Sequence, residues 1–246
     1  MTSRKSSRSK SRRSPKPVWP DSVSQRDIVT TQDGSPTLYS RQYGDHYHST
    51  YGAVQESRHV FIESGLTCVR ACSQEVRLLE VGLGTGLNCI LTAAHRAGRS
   101  VRYTALEPDP LPDTDVERLD YAPALGAAAF RLFRLLHGGP WEIDFELEAG
   151  MTVTKRRQTV QELQGPPTFD LVYYDAFSPA VQPEMWTEAV FARIYQCCTP
   201  GAVLVTYSSR GSVRRALTAV GFLVEKIPGP PGKREMVRAR KPGDAH

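Results

Sequence analysis

The chain has 246 residues and a formal net charge of +5, and 40% of its residues are hydrophobic. This length suits one α/β domain with a small extension better than two full domains. No stretch approaches the roughly 18–20 continuous apolar residues of a membrane span, and the N-terminus lacks the apolar segment of a secretory leader. We therefore expect a soluble, cytoplasmic protein that does not bind membranes.

The positive charge is concentrated at the N-terminus, where residues 1–16 hold seven Lys or Arg and no acid. Without those seven, 24 of the 31 basic residues remain against 26 acidic ones, so the rest of the chain is slightly acidic. Residues 1–20 are rich in Ser, Arg and Lys, which predicts a disordered basic tail. Such a tail could be a partner-free segment, an RNA tether or an organellar transit peptide, and its composition leaves all three open.

Cysteine and histidine usage argues against disulfides and metal sites. The cysteines are Cys68, Cys72, Cys89, Cys197 and Cys198. They include no CxxC pair, which fits neither a disulfide framework nor a four-ligand zinc site, so a reducing compartment is expected. The histidines His46, His48 and His59 lack a neighbouring Cys or acid pattern of the metal-binding kind, so we expect no metal.

Residues 21–75 predict a small N-terminal lobe of turns and short strands, with a weak helical pattern over Ala53–Ile62. In residues 76–246 short apolar runs alternate with helical patterns, which is typical of an α/β domain with a mainly parallel sheet covered on both faces. The predicted strands are Val76–Val81, Val101–Glu107, Asp144–Glu148, Phe169–Asp175, Ala202–Tyr207, Phe222–Ile227 and Glu235–Ala239. The predicted helices are Leu87–Ala97, Ala124–His137, Val153–Leu163, Thr187–Cys197 and Val213–Val220.

The first predicted strand runs into three alternate glycines, Gly82, Gly84 and Gly86, and then into a helix. Glycines in a strand-to-helix turn permit positive φ and let a ligand lie against the backbone beside the helix N-terminus. The spacing is GxGxG, which differs from the GxGxxG of dinucleotide folds, and no GK[ST] follows for a nucleotide phosphate. The pattern favours S-adenosylmethionine, with Thr85 and Asn88 of the same run as further cofactor-binding candidates.

Two acids extend this cofactor prediction. Glu107 ends the second strand, where a carboxylate can accept hydrogen bonds from the two hydroxyls of a ribose. Glu80 stands just before the glycines, where an acid would suit the ammonium group of the cofactor's amino-acid end and repel a pyrophosphate. Each acid alone could be a solvated or capping group, but their order around the glycines indicates a cofactor site.

The fourth predicted strand ends in Asp175, followed by Phe177, at the carboxyl edge where α/β sheets bind ligands. Methyl transfer needs the acceptor about 3–3.5 Å from the sulfonium methyl with its lone pair aligned, so positioning carries much of the catalysis. For an amine acceptor, Asp175 can orient the nitrogen and receive a proton, and Phe177 can lie against a base. The alternative is that Asp175 caps a turn and Phe177 fills the core.

Two basic clusters are candidates for RNA contact. The run Lys155-Arg156-Arg157 is predicted to be a solvated helix face, with a phosphate contact as the alternative. Lys233 and Arg234 lie in a loop rich in glycine and proline, and a turn beside the carboxyl edge of the sheet could bring both charges near the reaction centre. Lys233 and Arg234 are therefore the better candidates for binding a substrate that contains RNA, with a purely structural loop as the alternative.

Several ordered blocks resemble a known family, the methyltransferases that complete the 5-methylaminomethyl-2-thiouridine modification at the wobble position of transfer RNA, called MnmD when free-standing. The resemblance spans about residues 31–241. Its blocks are Asp33-Gly34-Ser35-Pro36-Thr37-Leu38, Tyr47-His48-Ser49, Glu56-Ser57-Arg58-His59-Val60-Phe61, Leu79 to Asn88, Asp175-Ala176-Phe177-Ser178-Pro179, Gln182-Pro183-Glu184-Met185-Trp186, Thr206-Tyr207-Ser208 and Gly229 to Met236.

The resemblance implies a class I, Rossmann-like methyltransferase fold that uses S-adenosylmethionine to methylate the 5-aminomethyl nitrogen of uridine 34 in tRNA. Upstream wobble-uridine enzymes would supply that aminomethyl group. Some bacteria fuse this domain to a flavin-dependent oxidase, and since the chain ends at His246 we expect no flavin. One departure is Gly150-Met151, which stands where we expect the family to have Gly-Asp at the end of the third strand, so an adenine contact from that acid is in doubt.

Two other functions remain open at this point. A polyamine-synthase-like aminopropyltransferase shares the glycine loop, the ribose acid and the strand-four aspartate, but would need further acids to hold a polyamine. The sequence has Ala176-Phe177-Ser178-Pro179 where a second acid would stand, which favours an acceptor that carries a base. The non-enzymatic alternative is a cofactor-binding module that docks another RNA-modifying protein.

Overall fold

The computed structural model describes residues 25–69 and 75–243. The predicted basic tail and Cys72 lie outside these residues. The first described segment forms a three-stranded antiparallel sheet of β1 (Arg26–Thr30), β2 (Pro36–Ser40) and β3 (Asp45–His46). Helix α1 (Ala53–Ser57) follows and continues as a π-helical stretch over Arg58–Glu63, which confirms the weak helical prediction there.

Asp33 ties the β1–β2 turn to the start of α1. Its Oδ1 accepts hydrogen bonds from the Thr31 hydroxyl at 2.7 Å and the Ser35 backbone N–H at 3.0 Å. Its Oδ2 accepts from the Gln55 backbone N–H at 2.9 Å, which satisfies one of the free donors of the first helical turn. One acid therefore fixes how the N-terminal sheet meets the helix beside the site.

The main sheet has eight strands in the order β10-β11-β9-β8-β4-β5-β7-β6. Its strands are β4 (Glu75–Val81), β5 (Ser100–Leu106), β6 (Phe145–Glu148), β7 (Met151–Arg156), β8 (Phe169–Tyr174), β9 (Cys198–Thr206), β10 (Leu223–Pro228) and β11 (Glu235–Arg240). The five strands from β9 to β7 are parallel, while β11, β10 and β6 run antiparallel to their neighbours. The chain moves outward from β4 in both directions, and this switch point is where open α/β sheets bind ligands.

Helices cover both faces of the sheet. They are α2 (Leu87–His95), α3 (Asp113–Val116), α4 (Ala122–Leu125), α5 (Ala127–Gly138), α6 (Glu188–Cys197) and α7 (Gly211–Ala219). Consecutive residues of β4 point to opposite faces, as strand geometry requires, so Leu78 packs in the core with α2 and α5 while Leu79 packs in the core with α6 and α7. The N-terminal strands share the first core, because Leu38 is buried in it together with Leu78.

The prediction of a helix over Val153–Leu163 is wrong. Residues Met151–Arg156 form β7, which pairs in parallel with β5 and antiparallel with β6. Burial alternates along β7, with Met151, Val153 and Lys155 buried, and this period of two is the strand signature that a buried lysine obscured. The predicted strand at Asp144–Glu148 exists as β6, but it is the antiparallel edge strand.

The helix predicted over Ala124–His137 is interrupted at Gly126. This residue adopts φ of +83° between α4 and α5, a conformation that ends one helix and starts the next. The helices predicted near Leu87, Thr187 and Val213 are confirmed as α2, α6 and α7, apart from end residues.

Lys155 caps the C-terminus of α5, which corrects its prediction as part of a solvated helix face. Its side chain is buried, and Nζ donates hydrogen bonds to the carbonyl oxygens of Leu136 at 2.6 Å and His137 at 3.1 Å. These carbonyls have no partner within the helix, and a cation there also complements the helix dipole. Nζ also lies 4.8 Å from the centroid of the Trp141 ring.

We expect Lys155→Met to lower the free energy of unfolding by roughly 1–3 kcal/mol, because methionine fills the space but leaves two carbonyls without a donor. Urea denaturation would measure this loss. The matched control is Arg156→Met at the exposed neighbouring position, where a change within about 0.5 kcal/mol is expected. Equal stability of the two variants would contradict the capping role of Lys155.

Candidate active site

A cavity of about 430 Å³ opens at the carboxyl ends of β4, β5 and β8, within the size range of small-molecule sites. The N-terminal segment covers it from one side. Its walls include Tyr43, Tyr47, Glu56, Gly82, Gly84, Thr85, Glu107, Gln158, Asp175, Phe177, Tyr207 and Lys233. The cavity therefore lies at the switch point of the sheet and is shared by distant parts of the chain.

The glycine loop passes too close to its neighbours for side chains at two positions. Gly82 has φ of +89°, and a Cβ atom there would lie 2.7 Å from the carbonyl oxygen of Asp175. Gly84 has φ of +50°, and a Cβ atom there would lie 3.1 Å from the ring of Tyr47. Both positions line the cavity, so a ligand can approach the bare backbone. Gly86 caps α2 and packs against Leu136 instead of lining the cavity.

Glu107 follows β5 and holds the glycine loop in place. Its Oε2 accepts a hydrogen bond from the Gly84 backbone N–H at 3.0 Å, and its Oε1 accepts from the Asp109 backbone N–H at 3.0 Å. Burial raises the pKa of this carboxyl above its ordinary value, against the lowering effect of both backbone donors. Since a carboxylate has about four acceptor positions, Glu107 keeps capacity for the hydroxyls of a ribose.

We expect Glu107→Ala to weaken S-adenosylmethionine binding by roughly tenfold or more, because alanine removes both the acceptor for the ligand and the anchor of the glycine loop. Turnover at saturating cofactor should change less, since a ribose contact is made equally in the ground and transition states. Isothermal titration calorimetry measures the affinity. Glu107→Gln is the matched variant, and it should fall between wild type and alanine because its amide oxygen can still accept one bond. Unchanged affinity in Glu107→Ala would remove this residue from the site.

Asn88 joins two acids behind the glycine loop. Its Nδ2 donates to Glu80 Oε1 at 3.0 Å and to Asp175 Oδ2 at 2.8 Å. Glu80 is fully buried and Asn88 is nearly so, and neither lines the cavity. Burial raises the pKa of Glu80 well above its ordinary value, which favours the neutral acid. The structure thus places Glu80 and Asn88 one layer behind the position expected for direct cofactor contacts, where they orient Asp175.

Asp175 directly follows β8 and lines the cavity. Its backbone N–H donates to the Val81 carbonyl at 3.0 Å, which sets its position beside the glycine loop. Burial raises the pKa of its carboxyl to about 7, the Asn88 hydrogen bond opposes this shift, and the nearby charges of Glu56 and Lys233 act in opposite directions. A carboxylate with this pKa is poised to exchange a proton near neutral pH.

Four aromatic side chains surround the space next to Asp175. The ring centroid of Phe177 lies 4.5 Å from that of Tyr43 and 5.0 Å from that of Tyr47. Tyr207 also lines the cavity and donates its hydroxyl proton to the Ala176 carbonyl at 2.9 Å. Burial raises the pKa of Tyr47 to about 12, and its hydroxyl accepts a hydrogen bond from Arg26 at 2.9 Å. These flat apolar walls suit a planar ring.

Only one member of the adjacent pair Lys233 and Arg234 lines the cavity. Lys233 lines the cavity, where Nζ donates to Glu56 Oε1 at 2.6 Å and lies 4.0 Å from the Tyr207 ring centroid. Glu56 also accepts from the Ser49 backbone N–H at 2.7 Å. Arg234 is exposed and lines a neighbouring cleft instead of the cavity. Lys233 is therefore the member of this pair nearer to Asp175.

Sequence reasoning missed several residues that line the cavity. Tyr47, Glu56 and Tyr207 stand in the resemblance blocks but carry no local pattern that marks them as cavity residues. The expectation about Gly150-Met151 is corrected, because Gly150 lies in the β6–β7 turn and Met151 begins β7 at its amino end, opposite the cavity. The residues after β7 that line the cavity are Gln158, Thr159, Val160 and Gln161. Among residues 25–69 and 75–243, no group of three or more potential metal ligands was found.

The cavity fits S-adenosylmethionine in shape and charge. The glycine loop offers backbone without side chains, and Glu107 offers acceptor oxygens to a ribose. Among the lining acids, Glu56 is paired with Lys233 and Asp109 with Arg26. The others, Asp45, Glu107 and Asp175, suit a ligand with a sulfonium and an ammonium group and disfavour a pyrophosphate. Among the described residues, Asn88 Oδ1 is a buried atom behind the loop that has no hydrogen-bond partner.

Sequence comparison agrees with this cofactor. A profile of the S-adenosyl-L-methionine-dependent methyltransferase family matches residues 137–242. The chain is 38% identical over 214 residues to the tRNA 5-methylaminomethyl-2-thiouridine biosynthesis bifunctional protein MnmC of Ectopseudomonas mendocina, covering 80% of this chain and 32% of that protein. It is 33% identical over 226 residues to the protein of the same name from Cupriavidus metallidurans, covering 86% of this chain and 33% of that protein. The chain thus spans about one third of the length of these relatives.

Structural comparison identifies the same fold. The crystal structure of MNMC2 from Aquifex aeolicus superposes with a TM-score of 0.75 at 26% identity, covering 92% of this chain and 74% of that one. Spermidine synthase from Thermotoga maritima superposes with a TM-score of 0.55 at 12% identity, covering 88% and 68%, a likeness of fold alone. The predictions of the fold and the cofactor are confirmed. The chain has the class I fold of the S-adenosylmethionine-dependent methyltransferases, and most of its length is similar to about one third of the MnmC proteins.

Proposed function

We propose that the protein methylates the 5-aminomethyl nitrogen of a wobble uridine in tRNA, giving the 5-methylaminomethyl form. The observation that carries this proposal is the position of Asp175, a carboxylate with a pKa near 7 between the glycine loop and an aromatic pocket. The names of the MnmC relatives supply the substrate class. The aromatic walls and the acidic lining together suit an acceptor that joins a planar base to an amine.

Asp175 would act on the acceptor nitrogen. Bound S-adenosylmethionine supplies the methyl group from its sulfonium. The Asp175 carboxylate accepts a hydrogen bond from the amine N–H, which directs the nitrogen lone pair away from the carboxylate, and it takes the proton that the amine loses. Asn88 holds one oxygen of Asp175 from behind, so the other oxygen is available to the amine. Phe177, Tyr43 and Tyr47 would hold the uracil ring.

Aminopropyl transfer to a polyamine is the second candidate, supported by the acidic lining of the cavity and the fold shared with spermidine synthase. Two observations weigh against it. Lys233 brings a cation within hydrogen-bond distance of Glu56, so that acid is already neutralised. Phe177 and its two tyrosine neighbours occupy the space next to Asp175, where a polyamine would need a second carboxylate.

The test is methyl transfer with defined acceptors. The protein is incubated with methyl-labelled S-adenosylmethionine and tRNA that carries 5-aminomethyl-2-thiouridine, and nucleosides are identified by mass spectrometry. We expect 5-methylaminomethyl-2-thiouridine. Parallel reactions contain putrescine with decarboxylated S-adenosylmethionine. Spermidine formation without tRNA methylation would establish the second candidate, and cofactor binding without either product would indicate a non-catalytic module.

The proposed reaction depends on other enzymes, because the chain's substrate already carries an aminomethyl group. Upstream wobble-uridine enzymes would make that group, so tRNA from cells lacking this protein should accumulate the 5-aminomethyl nucleoside. The cytoplasmic location expected from the sequence stays a prediction. In the described part of the chain, no helix is long and apolar enough to cross a membrane.

A further inference from the structure

A second cleft, of about 320 Å³, adjoins the cavity and shares Ser178, Tyr207 and Lys233 with it. It forms where the chain leaves β9 for α7 and where the loop before β11 turns back. The residues that line only this cleft are Pro179, Ser208, Ser209, Arg210, Arg234 and Glu235. A group bound in the cleft would therefore lie next to a base bound in the cavity.

The cleft carries two arginines that no acid among residues 25–69 and 75–243 holds by a hydrogen bond or salt bridge, although the hydrogen bond from Lys226, together with the charge of Arg234, lowers the pKa of the lining acid Glu235. Arg210 and Arg234 are exposed, and neither side chain forms a hydrogen bond or salt bridge with any residue in 25–69 or 75–243. The acid that lines the cleft, Glu235, accepts hydrogen bonds on its two oxygens from Lys226 at 2.8 and 2.9 Å. The third cation, Lys233, is paired with Glu56. Two guanidinium groups from different elements therefore remain available to an anion.

We propose that Arg210 and Arg234 bind a backbone phosphodiester of the RNA substrate, next to the nucleotide whose base enters the cavity. Guanidinium groups match the geometry of phosphate oxygens and bind them with paired hydrogen bonds. This inference rests on the proposed function, because it identifies the anion as part of the tRNA. It gives the two adjacent residues different roles, in which Lys233 belongs to the acceptor pocket and Arg234 binds the RNA backbone.

The arrangement agrees with the way proteins read single-stranded RNA. A base of a loop is turned out and held between aromatic side chains, while its sugar and phosphates stay at the mouth of the pocket. Contacts to phosphates then fix the register of the strand without reading its sequence. Here the aromatic side chains lie in the cavity, and Arg210 and Arg234 lie in the adjoining cleft. The two sites together would present one nucleotide to Asp175.

The test measures binding of a fluorescent anticodon stem-loop RNA to the full chain at several salt concentrations. The double variant Arg210→Ala/Arg234→Ala should bind the RNA at least several-fold more weakly than the wild type. The slope of log Kd against log salt concentration should also be smaller in the variant, by roughly 0.7–0.9 for each phosphate that it no longer neutralises. In methyl transfer its KM for tRNA should rise while kcat stays near wild type. S-adenosylmethionine affinity should not change.

The matched control is Arg102→Ala/Arg193→Ala, which removes the same charge from two other exposed arginines. The Arg102 side chain is 60% exposed and pairs with Glu75, an ion pair whose loss costs little. If the test and control variants bind RNA alike, general charge explains the effect and the inference is overturned. Wild-type affinity in the test variant would also overturn it.

Two further results would distinguish this inference from binding of a free anion and from failure of the proposed function. Saturable binding of inorganic phosphate alone, at concentrations similar to those of the RNA and abolished in the test variant, would assign the cleft to a free anion and reject the RNA contact. Failure of the proposed function would differ, because the wild type would bind the stem-loop with the arginine-dependent salt slope yet transfer no methyl group to its 5-aminomethyl form.

Discussion

Asp175→Asn is expected to lower kcat by roughly 10²- to 10⁴-fold while S-adenosylmethionine affinity stays near the wild-type value. The amide has the same volume, and its oxygen can still accept the hydrogen bond that Asn88 donates to Asp175 at 2.8 Å. What is lost is the group that takes the proton. Steady-state kinetics and calorimetry measure both quantities. The matched control is Asp170→Asn, which makes the same change at the other end of β8, and its kcat should stay within a fewfold of wild type.

The pH profile distinguishes a proton acceptor from a structural cap. Burial raises the pKa of Asp175 to about 7, so the carboxyl is protonated below that pH and cannot accept a proton. Wild-type kcat should therefore rise with pH up to about 7 and then level off. In Asp175→Asn this rise should be absent, and activity should recover partly at high pH, where more of the amine is neutral. A variant with near-normal kcat at neutral pH would show that Asp175 is a cap.

Gly82→Ala is the second substitution with a large expected effect, a loss of at least tenfold in both cofactor affinity and kcat. The new Cβ atom would lie 2.7 Å from the carbonyl oxygen of Asp175, a backbone atom that cannot rotate away. Relief of this overlap must move the glycine loop or Asp175, and displacement of a reacting group by about 1 Å can cost roughly 10²-fold in rate. Calorimetry and single-turnover kinetics measure the two effects.

The control for Gly82 separates crowding from backbone strain. Gly98 has φ of +78°, close to the +89° of Gly82, but a Cβ atom at Gly98 would meet no atom within 4 Å. Gly98→Ala should therefore cost roughly 1–2 kcal/mol of stability from the left-handed conformation and leave cofactor binding unchanged. If both variants lose only stability, the close approach of Gly82 to Asp175 does not control the site.

The sequence by itself was enough to predict that the glycine loop, Glu107 and Asp175 lie close together at one edge of the sheet. Each of these features lies directly after an apolar strand, and parallel strands end at a common edge, so local order along the chain was enough to bring them together. The same reasoning predicted α2, α6 and α7, whose boundaries depend on nearby residues. Resemblance of the ordered blocks then identified the family.

The tertiary structure alone decided which acids face the cavity. Glu80 adjoins the glycines in sequence, yet it is buried behind them, where it accepts a hydrogen bond from Asn88. The sequence does not show this, because the face to which a strand residue points depends on how the sheet packs. Glu56 meets Lys233 across 177 positions of the chain, a pairing that no local pattern encodes.

The error at β7 has a similar origin. The alternation of Met151 and Val153 with threonine is cut short by Lys155, and only the strands on both sides and the carbonyl groups at the end of α5 explain why this lysine is buried. Adjacent residues can likewise differ in the surface they reach, since Lys233 lines both the cavity and the second cleft while Arg234 lines the cleft but not the cavity. Local sequence sets which groups are present at the sheet edge, and long-range packing sets the surface that each one faces.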